Sequence, residues 1–506
     1  MVGFKYLYDL VFEPKMENFQ EILQKEETLD PDNWADMRLL AHKMVDDMMD
    51  YLSEIRDQKA WKPTTEEVRK HFKKMLPKES VSAESIYEDF KTNILPYNKG
   101  NVHPRFFSWV EGGGSPLGMM ADMLASGMNP NVTIGDHSAM YVDRQVIDWC
   151  KEMINFPKGA TGQLVTGGSS ANITALIVAK NNFGDGIIKQ KGLQSIESQL
   201  IVYCSSETHN CILKAAEVIG LGFENVKMIG INEDYTIDID ALEKAIAKDK
   251  LDGKTPFCIV GNAGTVNTGA IDDLKSLLEI SKKENCWFHI DGAVGGFAKI
   301  VPEFSGQLKT LEMADSIALD LHKWLYIPYE IGCVLIRDAQ KHRHAFAPAS
   351  MPHYLTAHER GLAAGPDPIA NFGMDLSRNF KALKVWMVLQ EQGLEKYRRM
   401  LRQNVAQAFY LESLVNQNPR LELLTPVNMN IVCFRYKNEN LKDEQLNALN
   451  KEILMTLHEE GIALPSYTVL RGKYAIRAAI SNHRSKKEDF EIMVNAIVKI
   501  GNQLSK

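Results

Sequence analysis

Ser316-Ile317-Ala318-Leu319-Asp320-Leu321-His322-Lys323-Trp324 is the stretch on which the reading of this chain turns. A short apolar run with strand character ends on an acidic residue, and a lysine follows three positions later. A second strand-like run, Gly332-Cys333-Val334-Leu335-Ile336, comes soon after. A lysine between two buried strands is poorly placed to be a solvated surface charge. Burial lowers the pKa of a lysine and makes its amine a usable nucleophile, as covalent attachment of a carbonyl requires. The other reading is a partly buried lysine paired with Asp320. Both stay open on these residues alone.

Working outward, residues 160 to 340 alternate short apolar strands with helices. Strands are expected at Gln163–Thr166, Ile201–Cys204, Val226–Ile229, Phe257–Val260, Trp287–Ile290 and Ser316–Leu319. Helices are expected between them at Ala171–Ala179, Ile212–Ile219, Ile239–Lys248 and Leu274–Lys283. Such alternation predicts an α/β fold with a mostly parallel central sheet and helices on its faces. Ligands bind such sheets outside the carboxyl ends of the strands.

On the N-terminal side, residues 1–100 read as a helical arm, suited to clasp a second subunit. Asp30 with Pro31 opens its main helix, whose apolar positions run from Trp34 to Ile55 at helical spacing. Thr64-Thr65-Glu66-Glu67 reads as a capping box opening a second helix, and Ser85 to Leu95 as a third. On the C-terminal side, residues 375–506 read as a small α+β domain, leaving 101–374 as the large domain. Within the small domain, helices are expected at Leu376–Gln392, Lys396–Val415, Asp443–Glu460 and Lys487–Leu504, with strands at Leu421–Leu424, Ile431–Tyr436 and Tyr474–Ile480. Phe346 to Asp367, rich in proline and glycine, is expected to be a mobile lid or binding loop.

At 506 residues, the chain is too long for one core. Its 45% hydrophobic and 24% charged residues are ordinary globular values. A net charge of −7, with basic residues scattered, argues against a nucleic-acid partner. The seven cysteines include no CxxC pair, and several lie in apolar runs. They read as buried thiols of a reducing compartment, and no metal site is expected. No charged leader with an apolar run opens the chain, and no window approaches a membrane span, so a cytoplasmic location without membrane association is expected.

Four further stretches carry chemistry. Thr166-Gly167-Gly168-Ser169-Ser170-Ala171-Asn172 follows a strand and opens a helix. Amides bared by glycine at a helix N-terminus bind phosphate, although an ordinary strand-to-helix turn has the same look. His209 follows another strand, as a site residue or a satisfied loop residue. Ala263 to Gly269 is a loop of small residues suited to close approach by a flat ligand. His289-Ile290-Asp291-Gly292-Ala293 puts a carboxylate at a strand end beside small residues. A pyridine nitrogen needs such a partner if its ring is to stay protonated as an electron sink. Phosphate turn, aspartate and lysine together match the three handles of pyridoxal 5'-phosphate. Upstream, Asn101 to Trp109 groups His103, Phe106, Phe107 and Trp109, either as a pocket wall or as a strand entering the core.

These motifs, with Pro352-His353-Tyr354-Leu355 and Arg378, resemble the fold-type I pyridoxal-phosphate enzymes of the group II amino-acid decarboxylases. The likeness runs from about Asp32 to the C-terminus and is strongest to aromatic-L-amino-acid decarboxylases and bacterial tryptophan/tyrosine decarboxylases. It implies a homodimer acting on an amino acid as its small-molecule substrate, with pyridoxal phosphate carried by Lys323 and its ring nitrogen paired with Asp291. Gly168, Ser169 and Ser170 would receive the phosphate, with His322 or Asp320 nearby. His209 and Ala293 would flank the ring, and Thr265 would lie near its oxygen. Tyr354 would donate a proton to the substrate's α-carbon. His103, Phe107 and Trp109 would border the substrate, and Arg477 would contact its carboxylate side or brace the loop. Animal members usually carry Asn at the position of Asp320 and Ala-Tyr at Ala293-Val294, and the run Gly112–Gly114 replaces bulkier residues. An acidic substrate, with Arg105 as a cationic partner, remains an alternative to an aromatic one. So does aldehyde formation by oxidative decarboxylation, against which the hydroxyl of Tyr354 speaks. A lyase, transaminase or desulfurase on the same fold, and a non-catalytic paralogue, are the remaining readings.

Overall fold

The structure, a computed structural model, describes residues 23–24, 26–350 and 358–505. The chain divides into two compact units: residues 1–53 with 81–87, and residues 54–80 with 88–506.

In the first unit a helix spans Trp34–Ser53. Asn33 caps it in place of Asp30. Its Oδ1 accepts from Ala35 N at 2.9 Å and its Nδ2 donates to Asp36 at 2.8 Å, so the first turn is closed by one side chain. Tyr87 donates to Asp47 at 2.9 Å. Of the helix residues only Leu40 is buried, while Trp34 and Leu39 stand exposed.

The second unit contains two sheets. The strand β1 (Phe106–Phe107) belongs to the smaller one. The larger holds β2 (Thr161–Val165), β3 (Leu200–Ser205), β4 (Val226–Ile229), β5 (Thr255–Asn262), β6 (Trp287–Asp291), β7 (Ser316–Asp320) and β8 (Gly332–Ile336). Their order is β2-β8-β7-β6-β5-β3-β4. All neighbouring pairs are parallel except the two that β8 makes, which are antiparallel. The central strands are sandwiched between helices, and β3 and β7 are buried along their whole length. Burial on both faces explains their unbroken apolar runs. The mostly parallel sheet expected from the sequence is thus present, with each expected strand in place.

Two helices, Pro116–Met128 and Ser138–Met153, were not anticipated. The first does carry start signals, because Ser115 accepts from Gly118 N at 3.2 Å and Pro116 occupies the first turn. The two helices expected at 376–392 and 396–415 are present within Ala382–Gln417, separated at Gly393, whose φ 70° and ψ 153° are not helical. Residues 376–381 stay outside it because Arg378 is pinned. Its N–H donates to Asn131 at 2.9 Å, and its guanidinium donates to Val132 O at 3.1 Å and Leu164 O at 2.8 Å. Of the segment expected to be a lid, residues 351–357 lie outside the described residues. Its return side is tied down: Arg343 bonds Asp367 at 2.7 Å, and Asp136 N donates to Leu362 O at 3.0 Å.

The smaller sheet adds β9 (Leu421–Leu423), β10 (Ile431–Tyr436), β11 (Leu464–Leu470) and β12 (Lys473–Ala479), in the order β1-β11-β12-β10-β9. β11 was not anticipated, since Pro465 and Ser466 interrupt its apolar pattern. It recruits β1 in parallel, pairing Phe106 with Leu464. Phe107 is consequently sealed into the C-terminal core, its ring 5.2 Å from that of Phe490. Among the described residues no helix is long and apolar enough to cross a membrane.

The glycine run after β1 passes behind the end of β7. Gly112 N donates to His322 O at 3.0 Å. A Cβ on Gly112 would sit 2.5 Å from the Lys323 carbonyl oxygen and 2.6 Å from that of His322. Gly112→Ala is therefore expected to destabilise the fold by about 1–3 kcal/mol and to lower the melting temperature in calorimetry. Gly127→Ala, whose added carbon would meet nothing within 4 Å, serves as the control and should not lower it.

Candidate active site

The carboxyl ends of β2, β3, β5, β6 and β7 open onto one cleft of about 390 Å³. Parallel strands deliver five loops to the same side, so residues from positions 166 to 330 meet there. Lys323 stands in the cleft, with Nζ 2.8 Å from Asp320 Oδ2. Burial alone pulls its pKa down, as expected from the sequence. The charge and hydrogen bond of Asp320, reinforced by Asp291 and Cys211, outweigh burial, and the net displacement is upward. The expectation of a lowered pKa is thus corrected: the amine is held as a paired ammonium. The loop behind it is fixed from the far side. Trp324 Nε1 donates to Asn404 Oδ1 at 3.1 Å, and Tyr326 donates to the same oxygen at 2.6 Å.

Asp320 is 2% exposed, and its Oδ1 has no hydrogen-bond partner. Glycines surround it. A Cβ on Gly168 would sit 2.8 Å from Asp320 Oδ2, and one on Gly332 would sit 2.8 Å from Oδ1 and 2.7 Å from Gly167 Cα. The helix Gly168–Asn182 starts at this crowded turn. Its first hydrogen bond runs from Ala171 N to Gly167 O. The amides of Gly168, Ser169 and Ser170 precede the ladder and are the donors a helix start leaves over. Ser170 Oγ lies 2.6 Å from Thr166 Oγ1.

Asp291 ends β6 with both oxygens engaged. Oδ1 accepts from Ala293 N at 3.1 Å, and Oδ2 accepts from Asn172 Nδ2 at 3.1 Å. His322 accepts from Ile331 N at its Nδ1, 3.1 Å, and stacks on Tyr329 at 4.3 Å. Burial holds its ring below the ordinary imidazole value, so Nε2 carries the single ring proton. His209 Nδ1 accepts from Cys211 N at 3.2 Å, which leaves Nε2 as its donor position.

Lys323, Asp320, His322, Asp291, Ala293, His209, Gly168, Ser169 and Ser170 thus share the cleft. Other expected site residues do not reach it in this chain. Thr265 is 1% exposed and turned into its own loop, bonding Thr268 at 2.9 Å and Ala270 N at 3.2 Å. Its neighbours Gly264 and Val266 line the wall instead. His103 is fully enclosed: Nε2 contacts Gln58 O at 3.1 Å and Nδ1 accepts from Arg105 N at 3.1 Å. Burial drives its pKa down to about 4. Phe107 belongs to the C-terminal core, as described above. Trp109 is exposed, with the Lys99 ammonium 4.2 Å above its ring. Arg477 is buried and donates to Asn267 O at 3.0 Å, to Trp109 O at 2.8 Å and to Val266 O, so its guanidinium braces the loop. Tyr354 lies outside the described residues. Tyr329, Asn262 and Cys211 line the cleft without having been singled out, and so does Val294, noted above only as a departure from the family pattern. Tyr329 sits in the turn between β7 and β8, where no periodic signal marks it. Asn172 and His289 stood inside quoted motifs, but no role followed from their spacing.

The residues present fit pyridoxal phosphate. Three leftover amides beside glycines that admit no Cβ suit a phosphate. A fixed carboxylate suits a pyridine nitrogen, and an amine suits an aldehyde. The comparisons agree. The conserved domain of pyridoxal-dependent decarboxylases matches residues 65–437. An aromatic-L-amino-acid decarboxylase of Bacillus atrophaeus is 32% identical over 473 residues, 92% of this chain and 95% of its own length. Tyrosine decarboxylase 4 of Petroselinum crispum is 30% identical over 477 residues, 90% of each chain. The crystal structure of Oryza sativa TDC with PLP and tryptamine superposes with a TM-score of 0.85 at 24% identity, covering 95% of this chain and all of that one. With sequence and fold matched over more than nine-tenths of its length and a cleft that fits the cofactor, this chain belongs to the pyridoxal-dependent decarboxylases, fold-type I carboxy-lyases of amino acids.

Proposed function

We propose that this enzyme removes the α-carboxylate of an aromatic L-amino acid, releasing the amine and CO2. The observation that carries the aromatic assignment is the charge lining of the cleft. Its charged residues are Asp291, Asp320, Glu330 and Lys323. Among the described residues, Lys323 is the one lysine or arginine there, and it is committed to the cofactor. A second carboxylate on the substrate would face like charge with no partner, at a steep cost in a partly buried site. Arg105, the candidate cation for an acidic substrate, is spent elsewhere. It donates to Ile462 O at 2.6 Å and pairs with the buried Asp489 at 3.7 Å. Similarity to aromatic-amino-acid decarboxylases along almost the whole chain supports the same reading.

When bound, pyridoxal phosphate supplies the electron sink for the pair left behind as CO2 departs. In this reading Lys323 Nζ holds the cofactor covalently, and the amides of Gly168, Ser169 and Ser170 bind its phosphate. Asp291 keeps a proton on the ring nitrogen. His209 and Ala293 bracket the ring and keep water from its faces. Tyr354 Oη hands a proton to the substrate's α-carbon, which favours the amine over an aldehyde. We further propose a homodimer in the cytoplasm. Met75 and Leu76, each 87% exposed, leave apolar surface for a second copy to cover. All seven cysteines are free and buried, as suits a reducing compartment.

On a panel of Trp, Tyr, Phe, dopa, Glu, Asp and His, kcat/KM for the best aromatic substrate should exceed that for Glu or Asp by at least about 100-fold. Faster release of amine from Glu or Asp would overturn the assignment. Lys323→Ala should lose the visible absorbance of the bound cofactor together with turnover; an unchanged spectrum would refute the role given to this lysine. Tyr354→Phe should raise ammonia and peroxide relative to amine, and the proton-donor role fails if the product ratio stays put. Sedimentation equilibrium should return twice the chain mass, and a monomer at micromolar concentration would contradict the dimer.

A further inference from the structure

Behind Asp291 lies a row of polar side chains that the proposed chemistry does not use. Trp287, His289 and Asp291 alternate along β6 and project from one face of the sheet. Ser316 faces His289 across the β6–β7 pair. Asn172 stands above them on the helix Gly168–Asn182. His289, Ser316 and Asn172 are all 0% exposed. Trp287 Nε1 lies 2.7 Å from Ser316 Oγ, and Ser316 Oγ lies 2.8 Å from His289 Nδ1. His289 Nε2 lies 2.6 Å from Asn172 Oδ1, and Asn172 Nδ2 lies 3.1 Å from Asp291 Oδ2.

The chemistry of the two ends gives the row a direction. An indole N–H can only donate, and a carboxylate can only accept. Asp291 Oδ2 therefore accepts a hydrogen bond from the Asn172 amide nitrogen, which turns Asn172 Oδ1 toward His289. Nε2 of His289 must then carry the ring proton, and Nδ1 is bare. Ser316 donates its one hydroxyl hydrogen bond to Nδ1 and accepts from Trp287. Each proton is used and each acceptor is met. If Asp291 were protonated toward Asn172, the amide would have to flip and the imidazole would have to change tautomer. Ser316 would then receive two donors and strand its own proton in a dry interior. Burial keeps His289 neutral, its pKa pushed down to about 4, so the ring has one proton to place.

We propose that Trp287, Ser316, His289 and Asn172 are positioning residues, a one-way hydrogen-bond relay that holds Asp291 as an unprotonated acceptor for the cofactor's ring nitrogen. Cys211, whose Sγ accepts from Asn172 Nδ2 at 3.2 Å and lies 4.0 Å from Asp291 Oδ2, and Asp320 also border this end of the row. Lys323 and His209 are the other titratable groups facing it across the cleft. None of these four is altered in the relay variants below, so a difference between variants reports the relay. The inference rests on the family's cofactor and not on which amino acid is decarboxylated.

The test compares holoenzymes of the wild type, His289→Leu, His289→Gln and Trp287→Phe. Nitrogen NMR of ring-labelled pyridoxal phosphate follows protonation of the ring nitrogen against pH. Fluorescence titration of the apoproteins gives cofactor affinity, and thermal unfolding checks the fold. His289→Leu should move the ring-nitrogen titration to lower pH by about one unit and weaken the cofactor about tenfold. Glutamine can donate to Asn172 and accept from Ser316, so His289→Gln should restore both to within about threefold. Trp287→Phe, at the far end, should shift the titration in the same direction by less. The relay is refuted if His289→Gln is as impaired as His289→Leu. It is equally refuted if the titration stays unmoved in folded His289→Leu and Trp287→Phe. Should His289→Leu fail to fold, the Gln and Phe variants decide by the same measure. An acidic preference in the substrate panel would leave these readouts intact.

Discussion

An ion pair between the half-buried Lys323 and the buried Asp320, at 2.8 Å, is the interaction around which the cleft is built. Neither charge tolerates burial alone, and a paired charge tolerates it only in close geometry. Asp320 extends β7 straight into the strand-end crevice, where it meets the turn after β2 and the start of β8. Those backbones approach so closely that Gly168 and Gly332 leave no space for a Cβ. Gly168, with Gly167 before it, also bares the start of the helix Gly168–Asn182. The anion-binding amides and the buried acid are thus consequences of one packing constraint. Gly112 repeats the device on the other side, pressed against the carbonyls of His322 and Lys323.

Long-range polar clamps then set the shape of the walls. Arg477 reaches from β12 to the carbonyls of Val266 and Asn267, and Val266 lines the cleft. Burial pulls its pKa down to about 10, still well above neutrality, so the clamp stays charged. Losing it would strand carbonyls, each at a cost of about 1–3 kcal/mol. Asn404 does similar service from the long C-terminal helix, accepting from both Trp324 and Tyr326 just past the lysine. The small sheet and the last helices therefore hold the reactive loop in register as well as closing the core.

Much of the site could be read in advance where chemistry and periodicity coincide. Asp291 and Lys323 each follow an apolar run of strand length, so the parallel sheet predicts that both arrive at one edge. The glycine-serine turn at 167–170 needed only the strand before it and the helix after it. Reading failed where a residue's surroundings come from elsewhere in the chain. His103 and Phe107 form an aromatic cluster in the sequence, yet β1 is captured by β11, more than three hundred positions away, and both are sealed inside. Thr265 is suitably placed in its loop, but its hydroxyl is claimed by Thr268 and Ala270. The pKa of Lys323 went the other way because burial acts on any lysine, whereas the opposing field comes from Asp320 and Asp291 together.

By itself, then, the sequence determined the alternation of strands and helices, the side of the sheet on which function lies, and the residue types that meet there. Those properties follow from local periodicity and from the geometry of parallel strands, which hold wherever the chain later packs. Only the tertiary structure decided which lone pairs and protons are left over: the unpartnered Oδ1 of Asp320, the brace of Arg477, the tautomers of His322 and His289. Hydrogen-bond satisfaction in a dry interior is an accounting over all neighbours at once. Those neighbours are chosen by the fold and not by the distance between residues along the chain.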